Sequence, residues 1–209
     1  MKIIITETQY ELLKETKDKP KVYNFPSLDV FGYEEPIDNW NLMQKFLDKK
    51  GNPEYTVGGD LDLSETPIES LGNLTSVGGD LDLRHTSIES FGNLTSVGGY
   101  LFLSATPIKS LGNLTSVGNN LILFNTPIKS LGNLTSVGGS LDLRYTPIKS
   151  LGNLTSVGGD LFLTSSSIES LGNLTTVGGS LFLEDTPISK KYTEEEIRSQ
   201  VKVEGNLYI

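Results

Sequence analysis

The stretch TPIESLGNLTSVGGDLDLRH, from Thr66 to His85, decides the architecture of this chain. It returns almost unchanged every 20 residues as far as residue 188, and its Leu-x-Leu triplet marks seven copies, from Leu61/Leu63 to Leu181/Leu183. Self-similarity at a fixed short period is typical of a solenoid, in which each coil buries its apolar face only against its neighbours. The sequence therefore predicts one elongated body rather than two globular domains.

Two different periods occur inside each copy. Around Leu81 and Leu83 apolar residues alternate with polar ones, which predicts a strand with two side chains directed into the core. From Ile88 to Val97 every third residue is apolar, which favours a tight arc of 3₁₀-like turns or short extended pieces. An α-helix does not fit this short arc, which also contains Gly92. We therefore expect a right-handed stack of parallel strands with seven to eight coils.

The small and polar columns of the repeat predict specific backbone contacts. Gly78-Gly79 and its equivalents are expected to supply the positive φ of a sharp turn into the strand. The hydroxyl of Thr86 and its equivalents is expected to bond the backbone at the next corner. Asn93 and its equivalents are expected to form a ladder of side-chain amides.

Residues 1–55 lack the repeat and predict a small α/β N-terminal cap of one strand and two helices. We expect a strand at Lys2–Ile5, a helix over about residues 7–16 and a loop over 17–37. A second helix is expected to begin near Asp38 and to bury one face, made of Trp40, Met43, Phe46 and Leu47. Such a segment covers the open end of a solenoid, and the alternative is a separate partner-binding domain.

The repeats span residues 56–188, and residues 189–209 predict a C-terminal cap. Thr193 and the acidic residues after it predict a short helix that ends near Gln200. The run from Val203 to Ile209 returns to the spacing of the repeat, which predicts a final strand.

Composition narrows the classes of function. The formal net charge of −9 argues against nucleic acids and anionic membranes as partners, because both attract a basic surface. The chain contains no cysteine, which excludes disulfides and thiolate metal sites. The apolar run after Met1 is too short for a signal peptide, and no segment approaches the ~20 apolar residues of a membrane span. We therefore expect a cytoplasmic protein.

The pattern L-x-L-x-x-T-x-I-x-x-L-x-x-L, over about residues 57–190, resembles a leucine-rich repeat with threonine in place of the usual asparagine or cysteine. The resemblance implies that the Leu-x-Leu strands line the concave side of an arc and that this side binds another macromolecule. One departure is that Val77 precedes Leu81 by four residues instead of three, so a straighter β-helix-like stack is the alternative. The repeat and the opening residues are also similar to proteins of bacteria and their large phages.

The copies differ mainly at the positions that flank the strand leucines. Strand alternation directs the middle residue of each Leu-x-Leu triplet out of the core, so these positions predict an apolar, aromatic surface with arginines at its rim. The candidate partner-binding residues are Asp62, Asp82, Arg84, His85, Tyr100, Phe102, Ile122, Phe124, Arg144, Tyr145, Phe162 and Phe182.

This surface predicts a non-enzymatic module that binds another protein, as a monomer or with weak self-association. The alternatives are neutral drift at unconstrained positions, a structural or self-assembling component such as part of a virion or surface layer, and a carbohydrate-active enzyme. Asp60, Asp62, Asp80 and Asp82 could hold a hard cation, but leucine occupies the position at which a calcium-binding β-roll needs glycine. No catalytic motif stands out, so we expect no cofactor and no metal.

Overall fold

The computed structural model describes residues 22–32 and 34–209. The first elements along the chain are strand β1 (Val22–Phe25), a 3₁₀ helix (Leu28–Phe31) and helix α1 (Pro36–Lys49). The strands that follow are β2 (Glu54–Val57), β3 (Leu61–Asp62), β4 (Leu74–Val77), β5 (Leu81–Asp82), β6 (Ser96–Val97), β7 (Leu101–Phe102), β8 (Ser116–Val117), β9 (Leu121–Ile122), β10 (Ser136–Val137), β11 (Leu141–Asp142), β12 (Ser156–Val157), β13 (Leu161–Phe162), β14 (Thr176–Val177) and β15 (Leu181–Phe182). The last elements are α2 (Pro187–Lys191), α3 (Glu194–Gln200), β16 (Lys202–Val203) and β17 (Leu207–Tyr208).

Within the described residues the strands form two parallel sheets. One sheet has the order β1-β2-β4-β6-β8-β10-β12-β14-β16, and we call it the serine sheet because β4 to β12 each carry a serine. The other has the order β17-β15-β13-β11-β9-β7-β5-β3 and is called the leucine sheet. Neighbouring strands of the leucine sheet pair at an offset of 20 residues, as in Leu81 with Leu101. The prediction of a parallel β-solenoid of stacked coils is confirmed.

The core is a column of aliphatic side chains that runs the length of the solenoid. In one coil Leu81, Leu83, Ile88 and Leu94 have no exposed surface, and Phe91 is 2% exposed. The period-three arc is built from short extended pieces, and on two coils Ser110 bridges to Ser130 and Ser150 to Ser170. Since each buried aliphatic side chain contributes about 1.5–3 kcal/mol, stacking coil on coil is the source of stability.

Backbone and side-chain hydrogen bonds join each coil to the next. The N–H of Leu81 donates to Tyr100 O at 2.8 Å, and the N–H of Gly98 donates to Val77 O at 2.8 Å. The predicted corner contact is confirmed, because Thr86 Oγ1 donates to Leu83 O at 2.7 Å.

The predicted amide ladder is correct only in part. Asn93 Nδ2 donates to Asn73 Oδ1 at 3.3 Å. In the next coil Asn113 Nδ2 donates instead to the backbone oxygen of Gly92, at 3.2 Å. The amide column thus mostly supports the turn backbone rather than itself.

The predicted role of the paired glycines is wrong. The left-handed turn is made by Gly92 and its equivalents, with φ of 57° at Gly92, and not by Gly78 or Gly79. A Cβ at Gly78 would lie 2.2 Å from Gly58 O, and one at Gly79 would lie 2.8 Å from Gly59 C. Close approach of adjacent coils therefore favours glycine at these positions, although Asn119 occupies the second of them in the fourth repeat and Glu204 the first in the last coil.

The N-terminal region agrees with the sequence at its helix and differs before it. Helix α1 buries Trp40, Met43 and Leu47 as expected. The expected loop over residues 17–37 instead contains β1 and the 3₁₀ helix, because β1 pairs with β2 from Val22↔Glu54 to Phe25↔Val57. The four residues of β1 have no clear hydrophobic period, and their hydrogen bonds are made to β2. The local sequence therefore does not indicate a strand there. The strand expected at residues 2–5 and the helix expected at 7–16 lie outside the described residues.

The C-terminal region contains the predicted helix and final strand. Thr193 and Glu196 form a reciprocal capping box at the start of α3, and β17 pairs with β15 from Leu181↔Leu207 to Phe182↔Tyr208. Helix α2 was not predicted, and it begins where the Thr186 side chain accepts the N–H of Ser189. None of the helices in the described residues is both long enough and apolar enough to cross a membrane.

Candidate binding face on the leucine sheet

The outer face of the leucine sheet is lined by the middle residues of the Leu-x-Leu triplets, which pair in register from coil to coil. Their order along the sheet is Asp62, Asp82, Phe102, Ile122, Asp142, Phe162, Phe182 and Tyr208. The flanking leucines are buried, with Leu101 and Leu103 at 0% exposure, whereas Phe102 is half-buried. The predicted alternation across the triplet is confirmed. We call this row, together with the two residues that follow each Leu-x-Leu triplet, the variable face.

Aromatic rings on the variable face stack on one another from strand to strand. The centroids of Phe162 and Phe182 lie 4.8 Å apart, and those of Phe182 and Tyr208 lie 4.7 Å apart with only 8° between the ring planes. These separations equal the strand spacing of ~4.8 Å, so the facing sides of neighbouring rings contact each other.

The expected exposed patch is consequently half-buried over much of its area. Phe102, Ile122, Phe162 and Phe182 are all of intermediate exposure. Phe124, at 38%, and Tyr145, at 55%, are the exposed aromatics in the middle of the variable face among the described residues. Their rings contact each other edge to face at 5.5 Å. The patch therefore contains one exposed pair of aromatic rings, and the rings on either side of this pair are half-buried.

Two aspartate–arginine pairs interrupt the aromatic row. Arg144 Nε donates to Asp142 Oδ1 at 3.0 Å, and Nη2 donates to Asp142 Oδ2 at 2.6 Å. Arg84 forms the same bidentate pair, with Nε donating to Asp82 Oδ1 at 2.9 Å and Nη2 donating to Asp82 Oδ2. The hydrogen bonds that each arginine donates to its aspartate raise the pKa of that arginine above its ordinary value.

Asp82 was expected to face solvent, and this expectation is wrong. Asp82 is only 8% exposed and Asp142 only 6%. Each carboxylate points away from the core, but the guanidinium two residues along the chain covers it. A buried carboxylate needs such a partner, and a planar, bidentate arginine supplies one within the same strand.

The arginines also link the pairs to the rings. The guanidinium carbon of Arg84 lies 5.3 Å from the ring centre of Phe102. That of Arg144 lies 5.4 Å from the ring centre of Phe124 and 5.2 Å from that of Phe162. Arg144 had been expected at the rim of the aromatic row, but it lies inside the row. These contacts hold the rings and guanidinium groups in one interlocked layer.

His85 and Tyr145 belong to a column in which the backbone is left-handed. In the described coils this column has φ between 54° and 60° and consists of Glu65, His85, Ala105, Asn125, Tyr145, Ser165 and Asp185. Sequence reasoning missed it. The available signal was the presence of His85, Asn125 and Asp185 in this column, because these residue types tolerate the left-handed region better than most.

Tyr100 belongs to another column with a structural role that the sequence did not reveal. Asp80 N donates to Asp60 Oδ1 and Tyr100 N donates to Asp80 Oδ1, both at 2.8 Å. Asn120, Ser140, Asp160 and Ser180 act as acceptors in the same way. The side chain of Tyr100 differs from the others in this column, because its ring stacks on that of Phe102 with the centroids 5.7 Å apart. Among the described residues no group of three or more histidine, aspartate or glutamate side chains could hold a metal ion.

The serine sheet offers a different surface. A shallow groove of about 650 Å³ follows it from coil to coil, lined by the repeated Ser-Val-Gly triplets from Ser76–Gly78 to Ser156–Gly158. Its side chains are small and the same in each of these coils, and Thr176 and Glu204 line its C-terminal end.

Together these observations define a parallel-strand β-solenoid with 20-residue repeats and one variable outer face. The chain matches no protein-family model, no curated protein and no solved structure. The geometry of the variable face is therefore the basis for a functional assignment.

Proposed function

We propose that this protein is a non-enzymatic binding module that holds another protein on the variable face. The observation that carries the proposal is the interlocked layer of rings and aspartate–arginine pairs. The residues that build it change from copy to copy, whereas the residues of the core and of the serine sheet repeat. Variation concentrated on one outward surface of an otherwise nearly uniform repeat is typical of a surface that recognises something specific.

Rigidity supports the proposal. Arg144 is fixed by two hydrogen bonds to Asp142 and by contacts with two rings. Immobilising a flexible side chain on binding costs about 0.5–1.5 kcal/mol, and most of that cost has been met already in the free protein. Arginine and tyrosine are also among the residue types that contribute most to binding energy at protein interfaces.

The left-handed column gives a second line of support. A residue other than glycine in this region costs on the order of 1 kcal/mol or more. Glycine would relieve that strain, and the repeat uses glycine at its other left-handed position, for example Gly112 and Gly152. The left-handed column nevertheless carries side chains in each described coil, including His85 and Tyr145. We attribute their retention to contacts with the partner.

The size of the face indicates the kind of complex. Eight strands at ~4.8 Å and about five residues at ~3.3 Å give a face of roughly 34 by 17 Å, or about 570 Å². Stable complexes usually bury about 800 Å² on each partner. The variable face alone therefore fits a transient complex.

We also propose that the chain is related in design to leucine-rich-repeat proteins. The parallel strands of the leucine sheet, with the Leu-x-Leu leucines inward and the middle residue outward, support this relation. So does the asparagine column, which donates to turn backbone in the preceding coil, as Asn113 does to Gly92 O.

The test is the triple substitution of Phe102, Phe124 and Phe162 by serine. We expect the variant to keep its circular dichroism spectrum, because the core leucines are untouched, and to lose a protein that the wild type captures from a cell lysate. A matched control replaces Ser116, Ser136 and Ser156 of the serine sheet by alanine and should capture that protein normally. Capture of the same proteins by the wild type and the phenylalanine variant would refute the proposal.

A milder variant keeps the test decisive if the triple variant unfolds. Phe124→Ser with Tyr145→Ser removes only the two exposed rings. Light scattering over a range of concentrations tests the self-assembling alternative. In that case the mean molecular mass of the wild type would rise with concentration, and that of the ring variants would not.

A further inference from the structure

Acidic residues lie at both ends of the variable face. At the N-terminal end these are Asp62 and Glu65, and at the C-terminal end they are Glu184 and Asp185. Within the described part of the chain none of the four has a salt-bridge partner within 4.0 Å. We call these two groups the acidic rims.

The middle of the face carries no uncompensated charge. Arg84 neutralises Asp82 and Arg144 neutralises Asp142 through bidentate pairs. Between these pairs lie the rings of Phe102 and Phe124. The face therefore has an apolar, internally neutral centre between two negative ends, which is the arrangement of an interface with an apolar core and a charged rim.

The spacing of the two rims follows from the stack. Asp62 lies in β3 and Glu184 follows β15, so six strand intervals of ~4.8 Å separate them, or about 29 Å. This separation exceeds the screening length of ~8 Å at physiological salt, so the two rims act as independent charged sites.

On the proposed function of the variable face, we propose that its partner is a protein surface with an apolar centre flanked on both sides by lysine or arginine. The two basic groups lie about 29 Å apart, the separation of the acidic rims. Opposite charges at the rim of an interface increase the association rate and set its register.

A second copy of this chain fits the face poorly. Each copy has a net charge of −9. In a two-fold pair with antiparallel stacks, the N-terminal acidic rim of one copy would face the C-terminal acidic rim of the other. Like charges placed opposite each other oppose such a contact.

The probes are three 12-residue peptides with a common centre of eight alternating leucines and threonines. One carries two lysines at each end, the second carries two glutamates at each end, and the third carries four lysines at one end. Eight extended residues span about 26 Å, close to the separation of the rims. Fluorescence anisotropy should show the first peptide binding about tenfold more tightly than the second, and more tightly than the third.

The matched variants have the same net charge. Glu65→Lys with Asp185→Lys reverses one acid in each rim and should abolish the preference for lysine. Glu69→Lys with Glu89→Lys changes two exposed acids outside the variable face and should keep it. Light scattering is recorded on the same samples.

Several results would overturn the inference. These are equal binding of the lysine and glutamate peptides, no binding of any peptide, a preference that survives the rim reversal, or a dimer whose formation needs the rings. The proposed function is judged separately. If Phe124→Ser weakens all three peptides equally while charge has no effect, the face binds protein but the basic partner is wrong.

Discussion

The serine sheet and the leucine sheet belong to the same coils and bury equally well-packed side chains, yet their outer surfaces differ. On the serine sheet the outward residue is serine from Ser76 to Ser156, and glycines follow it at the corner. On the leucine sheet the outward residue is an acid, a phenylalanine or an isoleucine, depending on the coil.

Contact distances explain the glycine corner of the serine sheet. Adjacent coils approach so closely that a Cβ at Gly138 would lie 2.1 Å from Gly118 O. On the leucine sheet the outward position accommodates a ring, an aliphatic group or an ion pair in different coils. Uniformity therefore marks positions that the stack itself demands, and variation marks positions that it leaves available.

The largest effect should come from Gly138→Ala on the serine sheet. We expect a loss of about 3 kcal/mol or more in the free energy of unfolding, because the methyl group would overlap the backbone of the preceding coil. Chemical denaturation measures it. Gly152→Ala is the control, since no atom lies within 4 Å of its Cβ position and only the φ of 59° opposes alanine. It should cost about 1–2 kcal/mol. Equal losses would contradict the explanation from close approach.

The core beneath the serine sheet contains one buried tyrosine, Tyr55 of strand β2. Tyr55 pairs with Leu74 there, accepts from Gln44 Nε2 at 3.0 Å and donates to Leu71 O at 2.7 Å. Burial raises the pKa of Tyr55 above its ordinary value of 10.0. Below pH 10 both the native and the unfolded state keep this proton, so stability is unaffected. Above it the unfolded chain loses the proton first, and stability should fall by up to about 1.4 kcal/mol per pH unit.

Tyr55→Phe isolates that dependence. The variant should be less stable by about 1–2 kcal/mol near pH 7, because one buried and one partly buried hydrogen bond are lost. Its stability should then fall less steeply than that of the wild type above pH 10. Denaturation from pH 8 to 11 measures both effects, and parallel pH profiles would show that Tyr55 is not the residue concerned.

On the leucine sheet, Asp142→Ala should cost about 1–2 kcal/mol. The substitution removes the buried acceptor of Arg144, and the figure is discounted because the Arg144 side chain is 41% exposed. Asp62→Ala occupies the same column but is exposed, so it should cost less than about 0.5 kcal/mol. If thermal denaturation gave both substitutions the same effect, the aspartate–arginine pairs would contribute nothing to the layer.

The smallest effect should be an increase in stability from a substitution at the corner beside the leucine sheet. Among the described residues the Ser166 hydroxyl is the buried side-chain oxygen without a hydrogen-bond partner. In the preceding coil Thr146 Oγ1 donates to Leu143 O at 2.7 Å. Ser166→Thr should stabilise the protein by about 0.5–1 kcal/mol by restoring this bond. Thr146→Ser is the reverse change and should be destabilising; a loss at Ser166→Thr would be the contrary result.

The sequence alone determined the solenoid, because a period of 20 residues with inward positions at Val77, Leu81 and Leu83 can be satisfied only by stacking. It also determined which residue of each Leu-x-Leu triplet faces outward, since a strand alternates. Local chemistry was sufficient for the Thr86 corner and for the capping box of α3.

Only the tertiary structure decided how these outward residues meet. Stacking of Phe162 on Phe182, burial of Asp142 beneath Arg144, and the crowding at Gly138 all depend on the distance and offset between coils. A one-dimensional period specifies that coils pair but not how closely each part of the coil approaches the next. Strand β1 remained hidden for the same reason, because its hydrogen-bond partners lie about 30 residues away in β2.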